Sequence, residues 1–261
     1  TPFVPPVEGL TIGGAIHKSE TIMNLEEYPE SLVIIGSGFI GLEFAATYAQ
    51  FGTKVTVIDV TEAFLPREDE DVAQAVKEQL EALGVTFNLG VQLKAVHQEG
   101  GKAVVEATTG EGAPVAFTTD AVLVATGRRA NVQGLDLDKA GVELTERGAI
   151  KVNEFLQTNV PHIFAMGDVN GGPQFTFVSL DDFRIVKRFL AGDTSYSTKQ
   201  RAKFPTATFI NPPLASVGLN EKQAKEAGIE VKVAKLPAMA IPKAKIIGNQ
   251  VGFYKVLVDA S

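Results

Sequence analysis

The sequence predicts an α/β fold, a right-handed parallel sheet covered by helices and followed by a smaller α+β unit. Three observations carry this. Residues 32–46 run from a short apolar segment through Gly36-Ser37-Gly38-Phe39-Ile40-Gly41 into a helical pattern. Strand-like and helix-like segments then alternate over 54–59, 71–83 and 85–87, and a β-α-β-α-β order calls for parallel strands joined by right-handed crossovers. Beyond residue 204, strand-like segments at 205–209, 214–218, 231–234 and 252–258 accompany one helix at 220–227. That mixture reads as an α+β unit.

Taken in order, residues 1–10 are proline-rich and extended, and residues 1–20 as a whole read as a tail or linker. Ser19 is placed to cap a short helix reaching Leu25, with Pro29 ending it. The apolar run 32–35 is the first strand, and each glycine after it has a physical task. Gly36 turns the chain out of the strand, Gly38 lets a pyrophosphate approach bare backbone, and Gly41 lets the helix pack on the sheet. The unpaired N–H groups of that helix start and its positive dipole end favour a phosphate. Strand 54–59 closes on Asp59, 18 positions after Gly41, near the ~20-residue offset at which a carboxylate meets an adenosine ribose. Residues 60–66 hold no arginine or lysine for a 2′-phosphate, Arg67 being the nearest, so NAD(H) is favoured over NADP(H). The competing readings are a doubly wound sheet that holds no nucleotide, and Asp59 as a plain strand-end acid.

Helix 71–83 carries Val72, Val76, Leu80 and Leu83 at the spacing of one buried face, and Gly84 stops it. The acids Glu68, Asp69, Glu70 and Asp71 sit where they favour the helix dipole. Being consecutive, they are expected to point around the helix rather than toward one magnesium ion. Segments 92–97, 102–107 and 115–117, broken at Gly100-Gly101 and at 110–112, read as an antiparallel meander on one side of the sheet. Residues 121–125 form a buried strand leading to Thr126-Gly127-Arg128. After loops, a strand at 163–166 is expected to end in Gly167 and Asp168, a close-approach glycine and a carboxylate suited to sugar or polyol hydroxyls. A simple turn aspartate is the alternative. Ser179-Leu180-Asp181-Asp182 then opens an amphipathic helix to Leu190.

Composition narrows the function classes. With 261 residues the chain suits one or two domains. A net charge of −7 argues against nucleic acid and anionic membranes. No apolar run nears the ~20 residues that span a bilayer, and residues 1–6 lack the pattern of a signal peptide, so a cytoplasmic location is the default expectation. There is no cysteine, which leaves no disulfide, thiolate metal site or cysteine nucleophile in these residues. His17, His97 and His162 show no metal-ligand spacing, and no metal site is expected.

Four motifs in order resemble the pyridine nucleotide-disulfide oxidoreductase family, the group of dihydrolipoamide dehydrogenase, glutathione reductase and mercuric reductase. They are residues 36–43, Ala125-Thr126-Gly127-Arg128, residues 158–168, and Leu214-Ala215-Ser216-Val217-Gly218-Leu219. Within the family, residues 64–69, 166–172 and 174–176 are most similar to the reactive-chlorine-resistance flavoproteins, a cupric reductase type. The resemblance implies a Rossmann-type three-layer NAD-binding domain (21–126) inserted in a partial FAD-binding domain (a tail at 1–20 and a second segment at 127–200). An incomplete α+β dimerisation domain (201–261) would follow. It implies cofactor contacts at Gly36, Gly38, Phe39, Ile40, Gly41 and Asp59 for NAD, at Glu43 near the nicotinamide carboxamide, and at Gly127, Gly167 and Asp168, the last on the flavin ribityl chain. The helix opening near Ser179 would face the flavin ring. It further implies a homodimeric FAD-dependent oxidoreductase passing hydride from NAD(P)H through flavin to a disulfide or metal-ion acceptor. The family's redox cysteine pair and His-Glu acid pair have no counterpart here, so no catalytic residue is expected in these residues and truncation at both ends is anticipated. A stand-alone NADH-binding module without redox activity is the alternative. A simple dehydrogenase is a poorer fit, since it leaves residues 158–168 unexplained and no Tyr-x-x-x-Lys is present.

Overall fold

A computed structural model describes all residues, 1–261, as two compact units. One comprises Val4–Thr126 with Phe204–Ser261, the other Thr1–Phe3 with Gly127–Lys203.

The first unit is built on a five-stranded, wholly parallel sheet. In chain order come β1 (Ile16–Lys18), α1 (Ser19–Ile22), β2 (Ser31–Ile35), α2 (Phe39–Gln50), β3 (Lys54–Asp59), α3 (Glu70–Ala82) and β4 (Thr86–Leu89). The meander β5 (Gln92–Glu99), β6 (Lys102–Thr108) and β7 (Pro114–Thr119) precedes β8 (Ala121–Val124). The spatial order is β1-β8-β2-β3-β4. Residues 4–20, read from sequence as a tail, thus contribute an edge strand: Ile16 pairs with Val122 and Lys18 with Val124.

Three layers follow from which way the strand residues point. Leu32, Ile34, Val55, Val57 and Leu123 face the helices, packing on Leu42, Ala45 and Ala46 of α2 and Val76 and Leu80 of α3. Val33, Ile35, Ile58, Val122 and Val124 face the other way, against Val96, Val105 and Ala107 of the meander. Burial on both faces is why β2 and β8 read as unbroken apolar runs rather than alternating ones.

Several boundaries differ from the sequence reading. Lys18, not Ser19, precedes α1, which ends at Ile22, and its N–H donates to Thr21 Oγ1 at 3.1 Å. The buried stripe of α3 is Ala73-Val76-Leu80. Val72 is half-buried, Ala73 packs into the core in its place, and Leu83, just past the last residue of α3, is exposed. Gly84 does stop it, at φ +89°.

In the second unit, residues 163–166 form no strand. A single bridge, Gln157 to Phe164, stands in its place, and Gly167–Asn170 is one turn of 3-10 helix. The local pairs Thr158 N–H to Ile163 O and Ile163 N–H to Val160 O, both 2.9 Å, fold 158–163 back on itself instead. The helix expected from Ser179 is α4 (Thr176–Leu190), beginning three residues earlier. Its Ile185 and Val186 pack on Leu156, Phe164 and Tyr196.

The rest of the first unit is β9 (Thr206–Thr208), β10 (Leu214–Ser216), α5 (Glu221–Glu226), β11 (Val231–Pro237), α6 (Pro242–Ile246) and β12 (Phe253–Asp259). The helix α6 has no counterpart in the sequence reading. Strands β9 and β10 pair antiparallel, as do β11 and β12. This segment is tied to the sheet domain: Ile210 joins the helix-side core, and Gln79 Nε2 donates to Pro212 O at 3.0 Å.

Candidate functional site

The glycine turn between β2 and α2 is built as two structural glycines around an open one. Gly36 has φ +111°, and a Cβ there would collide with the Ala125 carbonyl at the end of β8. A Cβ on Gly41 would collide with the Gly36 carbonyl. These two glycines set the turn and the closeness of helix to strand. Gly38 differs: a Cβ there meets nothing, its backbone is extended, and it caps α2 with no side chain over the helix start. The open side of the turn is therefore bare backbone at the positive end of a 12-residue helix. Phe39 is exposed and Ile40 half-buried at that rim.

Asp59, at the end of β3, is drawn onto the same turn. Its Oδ2 accepts from Ser37 N–H at 2.6 Å and from Ser37 Oγ at 2.7 Å, and its Oδ1 accepts from Thr61 N–H at 2.8 Å. Burial pushes the Asp59 carboxyl up, but the hydrogen bonds from Ser37 and Thr61 outweigh it and hold the group below its ordinary value. An ionised acceptor thus stands beside the helix start. Ser37 escaped the sequence reading, although a hydroxyl between the first two glycines, with an acid closing the next strand, is the signal that points to it.

Glu43 lies further along α2 and is half-buried. Its Oε1 accepts from Phe209 N–H at 2.8 Å, just past β9, so the structure joins it to the C-terminal segment of its own unit. Phe209 itself is 76% exposed.

The acids before α3 behave unlike the sequence reading. Asp69 and Asp71 converge rather than diverge, meeting Glu221 so that one carboxylate oxygen of each lies within 4.8 Å of the others. Lys255 Nζ sits among them at 2.8, 2.9 and 2.5 Å. Asp69 precedes α3 yet caps a different helix, accepting from Glu221 N–H and Lys222 N–H of α5 at 3.1 and 3.2 Å. Chain segments 150 residues apart in sequence made this invisible to local reasoning. The ammonium makes the cluster a fastening.

In the second unit, Gly127 has φ +110° and its carbonyl accepts from Phe3 N–H at 2.9 Å. Gly167 is buried at φ +73°, where a Cβ would strike Ser179 Oγ, and Asp168 beside it is exposed. The turn is held by Asp182, which accepts from Gly167 N–H at 2.8 Å and from Asn170 Nδ2 at 3.1 Å. Arg201 bridges Asp182 and Asp181, its Nε donating to Asp181 at 2.7 Å. Sequence reading took Asp181 and Asp182 as helix-opening acids. With α4 starting at Thr176, Asp182 instead falls on the buried stripe with Val178, Ile185 and Val186.

Comparison with known proteins adds to this geometry. Residues 1–182 match the family described as pyridine nucleotide-disulphide oxidoreductase, and residues 204–261 match its dimerisation domain. The probable pyridine nucleotide-disulfide oxidoreductase RclA of Escherichia coli K12 is 41% identical over 256 residues, 98% of this chain and 57% of that protein. Dihydrolipoyl dehydrogenase of Mycobacterium tuberculosis H37Rv is 37% identical over 254 residues, 97% of this chain and 54% of that protein. The solved Cu(II) complex of the HOCl-induced flavoprotein disulfide reductase RclA from E. coli superposes with a TM-score of 0.94 at 39% identity, covering 99% of this chain and 58% of that one. The chain therefore spans a little over half the length of these relatives. In this chain no helix is long and apolar enough to cross a membrane.

Proposed function

Since the chain belongs to the pyridine nucleotide-disulphide oxidoreductase family, we propose that it is the nucleotide-binding core of an FAD-dependent oxidoreductase that takes hydride from NADH in preference to NADPH. The observation that carries this is the bare helix start at Gly38 with the ionised Asp59 beside it. That donor and acceptor set fits a dinucleotide: N–H groups for the pyrophosphate, and a carboxylate that accepts from a ribose hydroxyl and repels a 2′-phosphate.

The roles proposed for single residues follow from this fit. Gly36, Gly38, Phe39, Ile40 and Gly41 form the pyrophosphate cradle and its rim, Asp59 holds the ribose, and Glu43 lies toward the nicotinamide end. In the second unit, residues 127–200 serve as the second flavin-binding segment, with Gly127 and Gly167 at close approaches. Asp168 is the exposed acceptor for the hydroxyls of the flavin side chain, and the start of α4 at Thr176 favours negative charge. When bound, nicotinamide and flavin supply the hydride chemistry. The chain binds, orients and shields them. Residues 204–261, matching the dimerisation domain, support a homodimer. The similar RclA, a flavoprotein disulfide reductase solved as its Cu(II) complex, supports a disulfide or a metal ion as final acceptor.

Fluorescence titration with NADH, NADPH and FAD in separate cells tests the reading. Saturable NADH binding that Asp59→Ala weakens by about 1–3 kcal/mol is expected, the size of a hydrogen bond to a charged group. No NADH binding by the folded chain would reject it.

A further inference from the structure

The Ser37 hydroxyl is nearly buried, at 7% exposure, and spends its proton on a carboxylate rather than on the turn's own carbonyls. Both donors of Ser37, N–H and Oγ–H, converge on the single oxygen Asp59 Oδ2, while Thr61 N–H holds Oδ1. A carboxylate offers about four acceptor positions, and Ser37 and Thr61 draw on them with both backbone and side chain. The side chain of Asp59 is therefore fixed in direction. Its donors are all neutral, so no cation stands there to welcome a phosphate.

We propose that Ser37 is a positioning and specificity-determining residue for the dinucleotide: by pinning Asp59 Oδ2 it fixes the direction in which the carboxylate meets one ribose hydroxyl and excludes a 2′-phosphate. The role rests on the nucleotide reading above and adds to it a residue that acts through Asp59. Without the hydroxyl, Asp59 keeps the N–H of Ser37 and of Thr61 but loses one of the bonds that oppose rotation about its side chain. The ribose hydroxyl would then meet a mobile acceptor, and the ordering entropy would be lost on binding instead of on folding. Low exposure around Ser37 strengthens the effect, since a hydrogen bond to a charge gains as water is excluded.

The test is parallel fluorescence titration of the 261-residue chain with NADH and with NADPH for the wild type, Ser37→Ala, Asp59→Asn and the double variant. Ser37→Ala is expected to raise the Kd for NADH about tenfold, as for loss of one charge-assisted hydrogen bond, while the Kd for NADPH stays within about twofold, so that discrimination falls. On the Asp59→Asn background the same substitution should change NADH binding by less than about twofold, because residues acting as a unit are not additive. Ser37→Gly removes the same hydroxyl without adding bulk and gives a second reading should the alanine variant fold poorly. An unchanged NADH affinity in both Ser37 variants overturns the proposal. So does an equal loss for NADH and NADPH, or a loss that persists on the Asp59→Asn background, since either would make Ser37 a part of the phosphate turn alone. A folded wild type that binds neither dinucleotide overturns the nucleotide reading itself, an outcome distinct from the others.

Discussion

Two glycine turns, one in each unit, are held by the same device and end with opposite characters. Ser37 N–H donates to Asp59 at 2.6 Å, and Gly167 N–H donates to Asp182 at 2.8 Å. Asp59 is half-buried and is served by neutral donors only. Asp182 is 2% exposed and is held by Gly167, Asn170 and the Arg201 cation. A carboxylate taken fully out of water needs a cation, whereas one at the rim does not. In the second turn the exposed acid is the neighbour, Asp168, and the buried acid braces the turn. The same residue type stands half-buried among neutral donors in one turn and sealed against a cation in the other, and burial decides which.

The sharpest way to break this comparison is to remove each brace. Asp182→Ala leaves the Arg201 guanidinium, 14% exposed, with Asp181 alone, and should cost about 3–5 kcal/mol of stability. Urea unfolding measures it. Asp59→Ala should cost less by the same assay, about 1–3 kcal/mol, because the donors it strands are neutral. Equal costs would erase the distinction between a sealed acid and a poised one.

A smaller effect separates the glycines within the first turn. Gly41→Ala forces a methyl into the Gly36 carbonyl and should destabilise by about 1–3 kcal/mol, as overpacking does. Gly38→Ala, where a Cβ meets nothing, should leave stability within about 0.5 kcal/mol while weakening NADH binding. Thermal melts paired with titrations read both, and a stable Gly41→Ala would contradict the contact.

The smallest expected effect concerns the acids around Lys255, a third setting in which carboxylates meet a cation. Burial pushes the Asp71 carboxyl up, but hydrogen bonds from Lys235 and Lys255 outweigh it and bring it down to about 2 from an ordinary 3.8. A depressed acid contributes stability above its unfolded value and loses it as the pH falls through its folded one. Stability should therefore decline from about pH 3.8 toward 2. Lys255→Met, which removes one partner, should move that decline upward in pH. Urea midpoints across pH 2 to 5 (about the span of an acid titration) would show it. An unmoved acid limb would mean that Lys255 contributes little to holding Asp71 ionised.

These experiments also mark how far the sequence could be read. The turn at Gly36–Gly41, the parallel strands and the meander were legible because each rests on local chemistry: period, glycine placement and apolar runs. Asp59 was legible by its offset, and its environment was not. The helices α3 and α4 start one and three residues before the sequence reading puts them, since neither start has a side-chain cap to mark it. The strand expected at 163–166 failed because 158–163 satisfy their own backbone in a turn.

What the sequence determined by itself is the kind of site: a phosphate-favouring helix start, an acid at the next strand end, and a glycine-aspartate turn further on. Each depends on residues a few positions apart, and the backbone converts that spacing directly into geometry. Tertiary structure alone decided which partners each acid takes. Ser37 reaches Asp59 across 22 positions, Arg201 reaches Asp182 across 19, and Lys255 reaches Asp69 across 186. An acid's protonation and remaining acceptor capacity depend on its solvation and partners, and only the folded chain brings these together.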